Sequence, residues 1–208
     1  MEKLYLDGKW SLSFFKQDEY DIKSYNDIKN FNIETIDATV PGNVELDLIK
    51  RGYLPEDIFF GDNILKAEEY ENYEWWYYKE FDGNEFKNKK CRITFDGVDV
   101  FATYYLNGEL LGKSENALIP HVFECNIKEK NTLLVRIEST MLTAAKKDYT
   151  MADMCHFFVT GTTPAELYTR KPSHSFGWDI LPRSVSAGIF RSVYIEEIKE
   201  FEVKQLCY

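Results

Sequence analysis

The sequence predicts an all-β fold, a β-sandwich with a few short helices, and three observations favour this class. Short runs rich in aromatic and β-branched residues recur along the chain, separated by turn signals at the spacing typical of sandwiches. The pair Asn107-Gly108 is a type I′ hairpin signal. Aromatic residues, which suit sheet surfaces, number 33 of 208, as 4 Trp, 14 Tyr and 15 Phe.

The start of the chain is predicted to contain two strands and one helix. In order, we predict a strand at residues 9–15, a polar surface loop at 18–32, a strand at 35–40, a helix at 44–50 and an irregular acidic loop at 53–72. The helix begins after Asn43, whose side chain can cap it, and ends at Gly52, which readily adopts a left-handed conformation. Its predicted apolar side consists of Leu46, Leu48 and Ile49.

The middle of the chain carries most of the predicted strands. They lie at residues 75–81, 92–95, 98–106, 109–112, 118–125 and 132–138. In the first of them a period of two puts Trp75 and Tyr77 on one face and Trp76 on the other, so both faces are expected to be covered. Asp96-Gly97 is predicted to turn the chain between the next two strands.

After Ser139 the pattern changes to short helices and an aromatic loop. We predict helices at residues 141–149 and 164–169, a loop at 174–183, a strand at 188–197 and a strand-like end at 201–208. The second helix starts with Thr163-Pro164-Ala165-Glu166, a capping-box spacing with proline at the first helical position. The strand-like end is expected to be the first strand of a following unit, so the predicted domain covers residues 1–199.

The charge balance excludes several classes of partner. Asp and Glu number 35 against 25 Lys and Arg, a net charge of -10, which argues against binding to nucleic acid or to an anionic membrane surface. No run approaches the ~20 apolar residues that cross a bilayer, so no membrane span is predicted.

Cysteine usage and the start of the chain bear on the compartment. Cys91, Cys125, Cys155 and Cys207 form no CxxC pair, and we interpret them as free thiols. The first seven residues carry charges and no apolar core, unlike a secretory signal. We therefore expect a cytoplasmic protein, with a secreted form whose signal has been trimmed as the alternative.

The usual catalytic and metal-binding patterns are weak in this sequence. Glu68-Glu69 and Glu196-Glu197 are adjacent carboxylates, but neighbours in a strand point to opposite faces, so we interpret both pairs as solvated surface. The three histidines lack metal-ligand spacing and no GxSxG elbow is present. Asp96 with Asp99, or Asp62 with Asn63, offers oxygens to a calcium ion, but turn formation explains both pairs equally well, and no metal site is assigned.

The segment 176–183 (FGWDILPR) is the strongest candidate for chemistry. Strand periodicity demands neither Trp178 nor Asp179, which sit together in a loop between Gly177 and Pro182. An indole face packs against the C–H face of a pyranose, and a carboxylate accepts charge-assisted hydrogen bonds from sugar hydroxyls. The alternative is a buried tryptophan beside a turn-forming aspartate.

Several segments, in order, resemble one known family. They are Val40-Pro41-Gly42-Asn43, Trp75-Trp76-Tyr77-Tyr78, Phe95-Asp96-Gly97-Val98-Asp99 with Asn107-Gly108, Arg170-Lys171-Pro172 with Phe176-Gly177-Trp178-Asp179, and Gly188-Ile189-Phe190-Arg191. The set resembles the amino-terminal sugar-binding domain of glycoside hydrolase family 2, in its β-mannosidase-like branch. The hairpin alone is unspecific, whereas the ordered set is specific.

The resemblance implies a jelly-roll, galactose-binding-domain-like β-sandwich that supports a retaining exo-β-glycosidase. It implies that an immunoglobulin-like domain, opening at residues 200–208, and a (β/α)₈ barrel follow in the full enzyme. The acid/base and nucleophile glutamates of the family lie in that barrel. We therefore assign no catalytic residue, cofactor or metal to this chain, and we expect the chain alone to be inactive.

The resemblance also assigns roles to the loop. In the β-mannosidase-like branch this loop reaches the barrel and helps bind the terminal β-linked sugar, which implies substrate binding by Trp178 and Asp179. Ile180 and Leu181 stand where the branch usually has an aromatic residue and a glycine, so a β-galactosidase- or β-glucuronidase-type enzyme is the alternative to a mannosidase. The supporting cations Arg170, Lys171 and Arg183 either pair with Asp179 or reach the ligand. Rival interpretations are a free-standing carbohydrate-binding module and a structural interaction domain.

Overall fold

The chain folds into two antiparallel β-sheets that pack face to face. Its computed structural model describes residues 3–160 and 163–199, with the backbone alone for residues 156–160. Within these ranges ten strands form a four-stranded sheet of order β1-β10-β5-β8 and a six-stranded sheet of order β3-β2-β4-β9-β6-β7. The predicted β-sandwich with short helices is confirmed.

The elements are as follows. The strands are β1 (Lys3–Tyr5), β2 (Gly8–Lys16), β3 (Thr35–Val40), β4 (Tyr73–Asp82), β5 (Cys91–Phe95), β6 (Phe101–Leu106), β7 (Glu109–Glu115), β8 (His121–Cys125), β9 (Lys130–Ile137) and β10 (Val193–Glu197). The helices are α1 (Tyr25–Asn30), α2 (Val44–Arg51), α3 (Thr140–Ala145), α4 (Met151–Thr160) and α5 (Pro164–Tyr168). Three 3₁₀ helices lie at Asn63–Tyr70, Asn84–Phe86 and Ser173–Phe176.

The core lies between the inner faces of the two sheets, as the period of two predicts. In β4, Trp75 and Tyr77 point inward, and they meet inward residues of the opposite sheet such as Ile93 and Ile195. Trp76 points outward yet is also buried, in a second apolar cluster. The prediction that both faces of this strand are covered is confirmed.

The cover over the outer face comes from a segment that was predicted as a polar surface loop. Residues 18–32 instead contain α1 and bury two isoleucines, Ile22 and Ile28, against Phe15 and Trp76. The physical reason is that the outer face of the six-stranded sheet is itself apolar at this point and has to be removed from water. The many polar residues around the two isoleucines hid this signal.

The Asp96-Gly97 turn is also corrected. The two flanking strands, β5 and β6, lie in different sheets, so this segment carries the chain from one sheet to the other. The strand predicted at residues 98–106 begins only at Phe101. Asp99 lies before it and pairs through its backbone with Gly188, the N–H of Asp99 donating to the carbonyl of Gly188 at 2.9 Å. The Asn107-Gly108 hairpin between β6 and β7 is confirmed.

Helix α2 forms as its capping residues predict. The side chain of Asn43 accepts a hydrogen bond from the N–H of Leu46 at 3.2 Å, and Gly52 ends the helix with φ 85°. The helix buries Val44 and Leu48 in the core. Leu46 was predicted on the apolar side and is exposed, because the buried stripe follows a spacing of four residues.

The remaining predictions are mixed. Helix α5 and its capping box are confirmed, since the Glu166 carboxylate accepts the N–H of Thr163, while α4 was not predicted. In the described part of the chain Cys91, Cys125 and Cys155 are free thiols, as predicted. Cys207 and the strand-like end at 201–208 lie outside the described residues. No helix within the described ranges has the length and apolar character that a bilayer crossing requires.

Candidate functional site

The Trp178–Asp179 pair lies in a tight, projecting turn. The N–H of Trp178 donates to the carbonyl of Leu181 at 3.0 Å, and the N–H of Leu181 donates back to Trp178 at 3.1 Å. Asp179 and Ile180 therefore occupy the tip. Trp178 is 74% exposed and Ile180 is 88% exposed. The prediction's alternative, a buried tryptophan, is wrong; a large apolar surface held in solvent is the kind of exposure that marks a binding surface.

The polar groups of this turn are available for a ligand. Within the described residues, the Asp179 carboxylate and the Trp178 indole N–H make no side-chain hydrogen bond or ion pair. A carboxylate beside an exposed indole face offers an acceptor for sugar hydroxyls and a platform for C–H groups. The turn can therefore receive a polar ligand without first breaking an internal contact.

Lys171 anchors the segment that leads into the turn. Its side chain is fully buried, and its ammonium group contacts the Asp99 carboxylate and donates to the carbonyl of Ser186 at 2.6 Å. A buried ammonium group is tolerated only when it is paired and hydrogen-bonded, so this contact fixes residues 171 and 186 to the crossover at Asp99.

Arg183 anchors the segment that leaves the turn. Its Nε donates to Oε1 of Glu71 at 2.9 Å and its Nη2 donates to Oε2 at 2.7 Å, a bidentate pair. The guanidinium also lies 5.9 Å from the centre of the Phe176 ring. The two anchors hold the base of the turn while the tip projects.

Two of the three predicted supporting cations have partners other than Asp179. Lys171 and Arg183 pair with Asp99 and Glu71 instead of with Asp179. Arg170 is exposed, and its backbone carbonyl accepts the N–H of Ala117 at 2.8 Å. Arg170 is therefore the cation of the three that lies exposed to solvent.

A cluster of acidic groups lies beneath the anchors. The Ser186 hydroxyl donates to Oε2 of Glu45 at 2.6 Å. Burial raises the pKa of Glu45, against the opposing effect of the Ser186 hydrogen bond, and burial likewise raises the pKa of Asp99 against the effect of Lys171. Lys171 thus lies among carboxyl groups whose charged forms burial disfavours.

The backbone passes very close to this cluster at Gly188. A Cβ atom there would lie 2.8 Å from Cα of Asn43 and 2.8 Å from the carbonyl oxygen of Gly42. Gly188 also has φ 148°, a conformation that side-chain-bearing residues rarely adopt. Glycine is needed here so that the segment after the turn can lie against the start of α2.

Four residues of this arrangement were not predicted to take part in it: Glu45, Glu71 and Ser186, and Asp99, which was considered only as a calcium ligand. The pairs Asp99–Lys171 and Glu71–Arg183 join residues 72 and 112 positions apart. No local spacing signals such contacts.

The other carboxylate and metal candidates also have defined positions. Glu196, predicted as solvated surface, is buried and pairs with Arg92 at 2.7 Å, whereas Glu197 stays near Lys89 at the surface. Asp99, one of the possible calcium ligands, contacts Lys171 instead. Across the described part of the chain no group of three His, Cys, Asp or Glu side chains is arranged to hold a metal ion.

Comparison with known proteins identifies the family. The family described as glycosyl hydrolase 2 galactose-binding domain-like matches residues 13–191. The chain belongs to this family. The match begins within β2 and runs past the turn at Trp178 to the segment before β10, so it includes both anchors.

Several proteins to which the chain is similar are β-mannosidases. The chain is similar to β-mannosidase B of Thermothelomyces thermophilus (31% identity over 75% of this chain and 18% of the relative) and to β-mannosidase of Rattus norvegicus (30% identity over 76% and 19%). It is also similar to the crystal structure of a β-D-mannosidase from Dictyoglomus thermophilum, with 31% identity, a TM-score of 0.76 and coverage of 95% of this chain and 23% of that one. The β-glucuronidase of Ruminococcus gnavus shares the fold, at 19% identity and a TM-score of 0.54. The chain spans about a fifth of the length of the relatives it matches.

Proposed function

We propose that this sandwich is the sugar-binding accessory domain of a β-mannosidase and that Trp178 and Asp179 form part of the substrate pocket. The observation that carries the proposal is the turn at residues 178–181, which exposes an indole face and a carboxylate without internal partners. The similarity to β-mannosidases supports the class of enzyme. The catalytic carboxylates are expected outside this chain.

The geometry of the anchors supports a positioning role for the sandwich. A binding group contributes most when it is held in place before the ligand arrives, because less freedom is lost on binding. The two ion pairs of Lys171 and Arg183 fix the base of the turn on both sides. We infer that the turn meets the terminal mannosyl residue as a preformed wall.

The first experiment is to translate the coding sequence downstream of Tyr208. A long extension with candidate acid/base and nucleophile glutamates is the expected result. A stop codon shortly after Tyr208 would overturn the enzyme proposal and favour a free-standing carbohydrate-binding module.

The second experiment measures kcat/KM of the full polypeptide on aryl β-mannosides. We expect Asp179→Ala to lower kcat/KM by about tenfold to a hundredfold, because a hydrogen bond to a charged group contributes about 1.5–3 kcal/mol. Asp37→Ala is the matched control, since Asp37 is an exposed carboxylate on strand β3 that pairs with Lys9. Unchanged kinetics in Asp179→Ala would remove this residue from the pocket.

Substrate class is tested with the same protein. We expect the full polypeptide to hydrolyse the aryl β-mannoside faster than the corresponding aryl β-galactoside or β-glucuronide. Trp178→Ala is expected to reduce kcat/KM for the preferred substrate, because the stacking surface is lost. Preference for a β-glucuronide would overturn the mannosidase proposal in favour of a β-glucuronidase-type enzyme.

A further inference from the structure

A second concave surface lies on the outer face of the six-stranded sheet. It is a groove of about 360 Å³, here called the tyrosine groove, and its lining includes Tyr25, Tyr78 and Tyr105. It lies near the end of β4, whereas the Glu71 anchor of the Trp178 turn lies just before the start of the same strand. At ~3.3 Å per residue, Tyr78 of the groove lies about 20 Å along the chain from Glu71, so the groove is separate from that anchor.

Strand register builds the floor of the groove from two rows of side chains. Tyr78 of β4, Leu134 of β9 and Tyr105 of β6 are lateral neighbours and form an apolar row. One step along the strands, Glu80 lies opposite Thr132, and the N–H of Asn107 donates to the Thr132 carbonyl at 2.8 Å. An aromatic row and a polar row therefore run side by side.

Helix α1 and the residues before it form the wall. Tyr25 stacks on Tyr78 with 3.6 Å between ring centres and 6° between the ring planes. The Tyr78 hydroxyl donates to Oε1 of Glu80 at 2.7 Å. These two contacts hold the wall and the floor in a fixed relation, so the groove is formed without a ligand.

The charges of the groove are already engaged within the protein. The ammonium group of Lys23 lies 2.9 Å from Asp21, and that of Lys29 lies 4.8 Å from the centre of the Tyr25 ring. Glu80 adds a negative charge, and the protein as a whole carries a net charge of -10. The two lysines are matched in number by Asp21 and Glu80, so the groove offers an anionic ligand no net positive charge.

We propose that the tyrosine groove is a second binding site, for a neutral saccharide. A pyranose ring has an apolar C–H face and a rim of hydroxyl groups, which match the Tyr105 ring and the polar row respectively, since the Tyr78 ring already stacks on Tyr25. The volume is at the lower end of ordinary ligand sites and suits one or two sugar rings. This site is separate from the Trp178 turn and does not depend on the catalytic role proposed for it.

The test is a titration of the ¹⁵N-labelled 208-residue chain with the neutral trisaccharides β-1,4-mannotriose and cellotriose, followed by amide chemical shifts. We expect saturable shifts at residues 23–29, 105–108 and 132–134, with a dissociation constant of about 1 mM or below, the range of a small site with few contacts. Shifts only at residues 177–183 would assign sugar binding to the turn and overturn the groove. An absence of saturable shifts up to about 10 mM, which is ~-2.7 kcal/mol of binding, would overturn it as well.

Three variants sharpen the result. Tyr105→Ala is expected to weaken binding at least tenfold, while Tyr105→Phe, which keeps the ring, is expected to stay within about twofold to threefold of the parent. Tyr5→Ala is the matched control, because Tyr5 is a largely exposed tyrosine on the other sheet. Equal binding by Tyr105→Ala and the parent, with the fold intact by circular dichroism, would overturn the site.

The ligand class has its own control. Lys23→Gln with Lys29→Gln is expected to leave affinity for the neutral trisaccharides within about twofold. A groove that titrates with glucuronate instead of neutral sugars, and only when both lysines are present, would overturn the assignment to neutral saccharides. Trp178→Ala is expected to leave these groove shifts unchanged.

Discussion

Trp76 and Trp178 are the same residue type in opposite surroundings. Trp76 is 2% exposed, donates its indole N–H to Glu74 at 2.8 Å and lies against Phe15 and Leu134. Trp178 is 74% exposed, at the base of a turn whose tip is Asp179 and Ile180. The first tryptophan holds segment 18–32 against the sheet, whereas the second contributes little packing. This difference indicates which aromatic residues the fold requires and which are free for binding.

The largest expected effect is on the buried member of the pair. Trp76→Ala is expected to lower the free energy of unfolding by about 3–5 kcal/mol, because it leaves a cavity and removes one hydrogen bond of the buried Glu74 carboxylate, which keeps its ion pair with Arg136. Urea denaturation of the 208-residue chain measures this. Trp76→Phe, which keeps most of the volume, is the control and is expected to lose less. A loss below ~1 kcal/mol for Trp76→Ala would break the comparison by showing that segment 18–32 collapses onto the gap.

The next effect on stability concerns the anchors, the two ion pairs that hold the base of the exposed turn against the sandwich. Lys171→Met is expected to cost about 3 kcal/mol, because Asp99 is left without its charge partner in a buried site. Adding Asp99→Asn is expected to recover part of that loss. Lys147→Met is the matched control, since Lys147 pairs with Glu115 at the surface, and such pairs contribute about 0–1 kcal/mol. Equal losses in Lys171→Met and Lys147→Met would contradict the anchor.

A smaller effect is expected in the pH dependence of stability. Burial raises the pKa of Glu45 in the folded protein, with Ser186 and Lys171 opposing the rise and Asp99 adding to it. The folded state then keeps a proton that the unfolded state releases, so the stabilisation is complete below the ordinary pKa of 4.5 and is lost as pH rises through the raised value.

Glu45→Gln removes this proton from both states. The free energy of unfolding of the parent, relative to that of the variant, is therefore expected to fall as pH rises above 4.5. Asp47, whose pKa burial also raises, is common to both proteins and cancels in the difference, whereas Asp99 is coupled to Glu45 and its response to the loss of that charge is part of the difference. Denaturation at a series of pH values measures it, and a difference independent of pH would contradict the placement of Glu45.

The same contrast explains what the sequence could predict. Trp75 and Tyr77 alternate with Trp76 along one strand, and this local period identified β4 and its two buried faces correctly. Asn43 and Gly52 likewise identified both ends of α2 through capping chemistry that spans a few residues.

Contacts across the fold were not predictable in this way. The anchor pairs Lys171–Asp99 and Arg183–Glu71 form where segments distant in the sequence come together in the folded protein. A single sequence does not indicate which distant residues will be in contact. The crossover at Asp96-Gly97 was misjudged for the same reason, because a turn and a change of sheet use the same residue types. Trp178 and Asp179 were identified because their residue types were not demanded by any strand pattern, although their exposure became known only from the structure.

The smallest expected effect is on the exposed member of the pair. Trp178→Ala is expected to change the free energy of unfolding by no more than about 0.5 kcal/mol, since its ring lies largely in solvent and the turn is closed by backbone hydrogen bonds that the substitution leaves in place. Comparing Trp178→Ala with Trp76→Ala in the same denaturation series distinguishes a tryptophan that stabilises the fold from one that does not. A loss comparable to that of Trp76→Ala would mean that the turn packs on the sandwich in solution, and Trp178 would then be unavailable to a sugar.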